Sequence, residues 1–275
     1  MQLTPEQLDS YRRDGYLLLP ELFSQDEVEV MRSQLPALFA EDSERRVVEK
    51  GSGVVRSVYG SHKTSDVFQR LTRHPRLVEP AMQILGHQVY VYQFKINAKI
   101  AFLGDVWEWH QDYIFWQRED GVPRADLVTI SVFLDEVTEF NGPLLMVPGS
   151  HEEGVIDPGR TGGVPQGYEG SPDWIANLTA DLKYSVDKAS LTRLVDRTGI
   201  VAPKGPAGSV LFFHPNTVHG SVPNLSPYDR KIVLVTYNRV DNLPTFQEKQ
   251  RPEFLVSRDF TPIQPLAESE LRVSA

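Results

Sequence analysis

His110-Gln111-Asp112, inside Trp109-His110-Gln111-Asp112-Tyr113, joins an imidazole and a carboxylate two residues apart, and a further histidine, His219, follows much later in the chain. Two imidazoles and one carboxylate suit Fe(II), because that donor set leaves coordination positions open for a co-substrate and O2. On a β-strand, side chains at i and i+2 share a face, so His110 and Asp112 would reach one ion while Gln111 points away. An H-x-D pair alone is weak, since a solvated histidine and aspartate at a strand end look the same. The rival second ligand is His214, ahead of Pro215 and otherwise readable as a hydrogen-bonded, partly buried histidine. His219 is preferred because Ser221 and then Arg230 come after it. A permanently charged, bidentate arginine with a hydroxyl partner suits the distal carboxylate of 2-oxoglutarate. Taken singly, Arg230 reads as a surface ion pair. His151 follows the turn signal Pro148-Gly149 and is read as fixing that turn.

The elements that must position these groups change character along the chain. Thr4-Pro5-Glu6-Gln7 and Ser24-Gln25-Asp26-Glu27 are capping boxes, and helical patterns also run over 65–73 and 75–85, the last closed by Gly86. From Val89 the period becomes two. Residues 90–97, 127–134, 209–213 and 231–237 are rich in β-formers and read as strands. Between them, 155–205 opens Gly/Pro-rich and continues into polar segments, 174–183 and 187–197, that read as helices of an insertion over one mouth. Helices followed by many short strands fit a mainly β fold: a double-stranded β-helix, a cupin-like jelly roll, with N-terminal helices. The expectation is a single domain over 1–275, with a helical layer at about 1–86, a jelly-roll core at about 87–240 and the insertion at about 155–205.

Bulk composition removes other classes. The net charge is −9, with 37 acidic against 28 basic residues, which opposes a nucleic-acid surface. The chain has no cysteine, so any metal must be held by His, Asp or Glu. No apolar run is long enough for a membrane helix, and the first residues show no secretory pattern. A cytoplasmic enzyme acting on a small molecule is the expectation, its oligomeric state open.

Trp109-His110-Gln111-Asp112, the segment Asn141 to His151, and His219-Gly220-Ser221 with Arg230 resemble the phytanoyl-CoA dioxygenase family. The stretches Gln93 to Lys99 and His110 to Gly121 are similar to a branch of that family acting on small, amino-acid-like zwitterions. The resemblance implies Fe(II), 2-oxoglutarate and O2, with His110, Asp112 and His219 on the iron. It implies Lys99, Ser221 and Arg230 around 2-oxoglutarate, and Gln93 and Trp116 facing the substrate. The implied substrate is a free amino acid, L-proline first, hydroxylated with release of succinate and CO2. Asn97, Tyr113 and Arg118 are added as pocket candidates, although Arg118, among several charges, also reads as a solvated loop residue. Trp116 also reads as a core aromatic. Relative to ectoine hydroxylases, Gln111 and Tyr113 replace a Ser and a Phe, which weighs against ectoine itself. A cupin-like binding protein without turnover and a zinc hydrolase are the competing classes.

Overall fold

The computed structural model describes residues 1–161, 168–245 and 250–267. Helix α1 (Pro5–Asp14) begins on Thr4, whose hydroxyl and Gln7 side chain complete the expected capping box, and Gly15 ends it in the left-handed conformation at φ 78°. Strand β1 (Tyr16–Leu19) follows, then α2 (Gln25–Arg32), started by the second capping box, and α3 (Leu35–Ala40). The N-terminal segment is not purely helical, for β2 (Arg46–Val48) and β3 (Val55–Tyr59) precede α4 (Asp66–Leu71) and α5 (Pro75–Leu85). Next come β4 (Val89–Lys99), β5 (Trp107–His110), α6 (Asp112–Asp120), β6 (Leu127–Phe133) and β7 (Leu144–Met146). The chain then forms β8 (Pro158–Thr161), β9 (Tyr184–Val186), α7 (Lys188–Thr198), β10 (Val210–Phe213), β11 (His219–Ser221) and β12 (Arg230–Arg239).

Among the described residues, a seven-stranded sheet runs β1-β10-β6-β12-β4-β3-β2 and a three-stranded sheet runs β5-β11-β7, with all pairings antiparallel. One face of the large sheet packs on the helices: Phe94, Ile96, Val233 and Val235 share a buried cluster with Leu38, Phe68, Leu77 and Val78. The other face looks toward the small sheet, where Ile232, Leu234 and Phe213 meet Met146. This is a jelly roll backed by a helical layer.

A register shift in β4 decides which residues enter the cavity between the sheets. Opposite the consecutive pair Thr236 and Tyr237, β4 offers Gln93 and then Val91, leaving Tyr92 as the extra residue. Val89 and Val91 therefore point to the helices, as Phe94 and Ile96 do, while Gln93, Lys95 and Asn97 line the cavity. Simple alternation over 90–97 does not anticipate this switch.

Two local expectations fail for identifiable reasons. The H-x-D motif is not a strand pair: His110 ends β5, Gln111 is the extended N-cap residue (φ −114°), and Asp112 opens α6. Helix α6 buries Tyr113, Ile114, Phe115 and Trp116, so its sequence lacks the one-sided apolar stripe that announces a helix. The segment 174–183 holds only a 3-10 turn, Asp173–Asn177, and then leads into β9. There the carbonyl of Leu178, which a continuing helix would use, accepts from Arg56 Nε at 3.1 Å.

Candidate metal centre and pocket

Antiparallel pairing sets His219 on β11 directly opposite His110 on β5. Their rings lie 4.2 Å apart between centroids. Asp112 Oδ1 is 3.7 Å from His110 Nε2 and 4.0 Å from His219 Nε2, and the three donor atoms lie within 4.8 Å of one another. All three residues are buried. The Nδ1 of His110 sits 2.6 Å from the Glu108 carbonyl, and that of His219 sits 2.9 Å from the Thr217 carbonyl. Each Nδ1–H is thereby committed to backbone, which leaves both Nε2 lone pairs facing Asp112. Burial pushes the His219 imidazole down to about 4, aided by His110, so it is a neutral donor at pH 7. Burial alone would raise Asp112, but Lys95 and the two imidazoles outweigh it and hold the carboxyl well below its usual range. Two imidazoles whose Nε2 atoms are free of backbone partners and a committed carboxylate around one point fit a divalent ion with open positions. Gln111 points away from this centre and ties it down: its amide donates to the carbonyls of Gly154 and Asn216, both at 2.7 Å, and accepts from Ile156 N at 2.9 Å. His214 and His151 stand outside the cluster, their rings tilted against each other with centroids 5.2 Å apart.

Arg230 lines the same cavity with 2% exposure. Its Nε and Nη2 donate to the Gly142 carbonyl at 3.1 and 2.8 Å. Gly142 has φ +73°, and a Cβ there would fall 2.7 Å from Lys99 Cδ, so glycine is required for this close approach. Among the described residues no carboxylate comes within ion-pair distance of Arg230. Burial lowers its pKa to about 10. An interior guanidinium without a counterion is costly, and the arrangement fits an anionic ligand such as the far carboxylate of 2-oxoglutarate. Ser221 Oγ, buried with no hydrogen-bond partner, lies outside the lining of the cavity at the metal centre. Lys99 also departs from its expected place. It stands opposite Arg230 in register, and its amine donates to the Asp105 and Val222 carbonyls, behind the cavity wall. Burial, then Arg230 and Arg56, lower its pKa to about 6. Lys95, not Lys99, lines the cavity.

On the remaining walls, Gln93, Asn97 and Trp116 face the cavity. The Gln93 amide is fixed by donating to the Leu255 carbonyl at 2.8 Å, and Trp116 stacks edge-on to Tyr92. The structure places Tyr113 and Arg118 away from the cavity lining. The Tyr113 hydroxyl donates to the Val122 carbonyl at 3.1 Å inside an apolar cluster, and the residue does not line the cavity. Arg118 lies on the outer surface of α6, 3.5 Å from Asp157, and lines a neighbouring depression. Neither Gln111 nor Tyr113 lines the cavity. Sequence reasoning missed Arg251, which lines the cavity and is paired through Nε at 2.8 Å to Asp120, itself bonded by the Tyr92 hydroxyl. It also missed Asn177 and Leu178, and the Arg56–Glu49 pair (3.0 Å) behind them. Arg251 stands in the irregular C-terminal stretch, where no periodicity singles out a residue.

A jelly roll with a His-Asp-His centre and a buried, unpaired arginine defines the class of Fe(II)/2-oxoglutarate oxygenases. The chain matches the Phytanoyl-CoA dioxygenase (PhyH) family over residues 11–232 and belongs to it. It is 43% identical over 260 residues to an L-proline trans-4-hydroxylase of Streptomyces griseoviridis, covering 93% of each chain. It is 38% identical over 273 residues to an ectoine dioxygenase of Bordetella bronchiseptica, covering 96% of this chain and 86% of that one. Among solved structures, EctD from S. alaskensis with 2-oxoglutarate and 5-hydroxyectoine superposes with a TM-score of 0.78 at 35% identity, covering 96% and 86%. The carbocyclase SnoK, at 22% identity and a TM-score of 0.66 (98% and 95% covered), shares the fold. The chain is a 2-oxoglutarate-dependent dioxygenase that uses O2 and acts on a small molecule, and its metal centre fits Fe(II). Among the described residues no helix is long and apolar enough to cross a membrane.

Proposed function

We propose that this enzyme hydroxylates a free cyclic amino acid, L-proline, to trans-4-hydroxy-L-proline, consuming O2 and 2-oxoglutarate and releasing succinate and CO2. The observation that carries the reading is the pair of buried guanidinium groups on one small cavity, Arg230 and Arg251, beside the His-Asp-His centre. Two separate acids must be held there, the co-substrate and the substrate, and each needs a cation in a dehydrated site. Arg230, without a protein counterion, serves the far carboxylate of 2-oxoglutarate, with Ser221 nearby in sequence and Lys99 supporting it from behind. Arg251, held by Asp120, meets the substrate carboxylate. Trp116 forms an apolar wall for the ring and Gln93 a fixed amide beside it.

His110, Asp112 and His219 would hold Fe(II), which when bound supplies the oxidative decarboxylation of 2-oxoglutarate and delivery of one oxygen atom to a substrate C–H bond. The backbone carbonyls on both Nδ1 atoms keep the imidazoles aimed, and the aromatic and leucine lining excludes water from the reacting atoms. No general base is required. The 43% identical proline hydroxylase supports L-proline. The ectoine dioxygenases at 36–38% identity support a second reading, the same chemistry on an ectoine-like zwitterion. Succinate release over a panel of amino acids and ectoine, with product identification, separates them. Stimulation by L-proline and formation of the trans-4-hydroxy product are expected; an enzyme stimulated by ectoine and silent with L-proline would reverse the order.

A further inference from the structure

We infer that Asn177 recognises the amino group of the substrate, reading the ammonium of an α-amino acid with its amide oxygen and the adjoining carboxylate with its amide nitrogen. This rests on the amino-acid reading above. Asn177 ends the 3-10 turn of the insertion, and its side chain lines the cavity that also holds His110, Asp112 and His219. It is 6% exposed, yet neither Oδ1 nor Nδ2 has a hydrogen-bond partner. A primary amide has two donor hydrogens and an acceptor oxygen, and burying all of them unpaired is among the more expensive arrangements a protein interior can hold. Its backbone is well anchored, since Arg56 grips the carbonyl of the next residue, Leu178. The amide is therefore held in place without being satisfied, as expected of a group reserved for a ligand.

Charge balance indicates what that ligand offers. Lys95, Arg230 and Arg251 line the cavity, whereas the carboxylate among its lining residues, Asp112, lies between the two imidazoles. Asp120 sits behind Arg251 and is occupied by it. Among the described residues, no uncommitted carboxylate lines the cavity to receive an ammonium. Among the described residues that line the cavity, the buried acceptors without a partner are amide oxygens, Asn177 Oδ1 and Asn97 Oδ1. A neutral acceptor is also the better choice here, because an extra carboxylate would pair with the lysine and arginines that the two acids need. In an α-amino acid the ammonium and carboxylate lie side by side, matching the adjacent oxygen and nitrogen of one amide. That match accounts for both orphaned atoms of Asn177.

The test compares wild type with Asn177→Leu and Asn177→Ala, using L-proline and tetrahydrofuran-2-carboxylate, in which ether oxygen replaces the ring ammonium. Both variants should raise the KM for L-proline by about tenfold or more, with the KM for 2-oxoglutarate unchanged. The inhibition constant of the oxygen analogue, which keeps the carboxylate contact and lacks the ammonium, should rise by a clearly smaller factor, about threefold, so discrimination between the two rings narrows. Asn177→Leu should also melt a few degrees higher without substrate, on the order of 3 °C, because an unpaired buried amide is removed. An L-proline KM that stays near wild type, or a loss falling equally on proline and its oxygen analogue, overturns the assignment. So does an Asn177→Leu variant that melts lower with discrimination intact. Should the wild type ignore L-proline but accept another amino acid, only the substrate reading above falls, and the comparison is made with that amino acid and its deaminated analogue. If no amino acid stimulates succinate release, both fall.

Discussion

At the metal end of the cavity the polar groups are tied down by the protein itself. His110 and His219 each give Nδ1 to a backbone carbonyl, and Gln111 spends its whole amide on fixing the strand-to-helix junction between the two ligands. At the organic end Gln93 and Arg251 are anchored, but Asn97 and Asn177 keep unpartnered atoms and Arg230 has no carboxylate within ion-pair distance among the described residues. The first region is organised before anything binds, and the second is completed by what binds. Preorganisation belongs where an ion must meet several donors at fixed distances. Unspent hydrogen-bonding capacity belongs where a small polar molecule must leave water.

Breaking the organised end should have the largest effect. Asp112→Ala removes the carboxylate that both imidazoles face, and is expected to abolish succinate formation and Fe(II) binding by titration; retained turnover would remove the triad from the mechanism. Asp120→Asn comes next, since it leaves Arg251 buried against a neutral partner. Breaking such a pair costs about 3–5 kcal/mol, or a fall in melting temperature on the order of 10 °C. Arg230→Met and Arg251→Met sharpen the division of labour between the two acids. Arg230→Met should raise the KM for 2-oxoglutarate by roughly 10- to 100-fold and spare that for L-proline, and Arg251→Met should do the opposite. If both variants move the same constant, the two guanidinium groups do not serve separate ligands. The smallest effect is expected of Tyr113→Phe, which loses one hydrogen bond to Val122: about 1 kcal/mol in thermal unfolding, with kinetic constants unchanged. A changed KM for L-proline would return Tyr113 to the pocket.

The two ends also differ in how legible they were. Capping residues, the period-two runs and the types at 110, 112, 219 and 230 were readable because each depends on local chemistry or on a donor set that few combinations satisfy. The organic end was read less well. Lys99 and Lys95 share a face, and alternation cannot say which one stops at the wall and which turns behind it to the Asp105 and Val222 carbonyls. Arg118 and Tyr113 are close in sequence to the ligands but face outward and into the core, because Asp112 opens a helix and the direction changes by about 100° at each residue.

By itself the sequence determined the jelly-roll class, the absence of thiolate chemistry and the candidate metal donors, since period, composition and side-chain type are local properties. Only the tertiary structure decided that His219 sits opposite His110, that an extra residue at Tyr92 turns Gln93 into the cavity, and that Arg251 and Asn177 arrive there from distant segments. These depend on register and on long-range packing, where a shift of one residue reverses the face a side chain occupies.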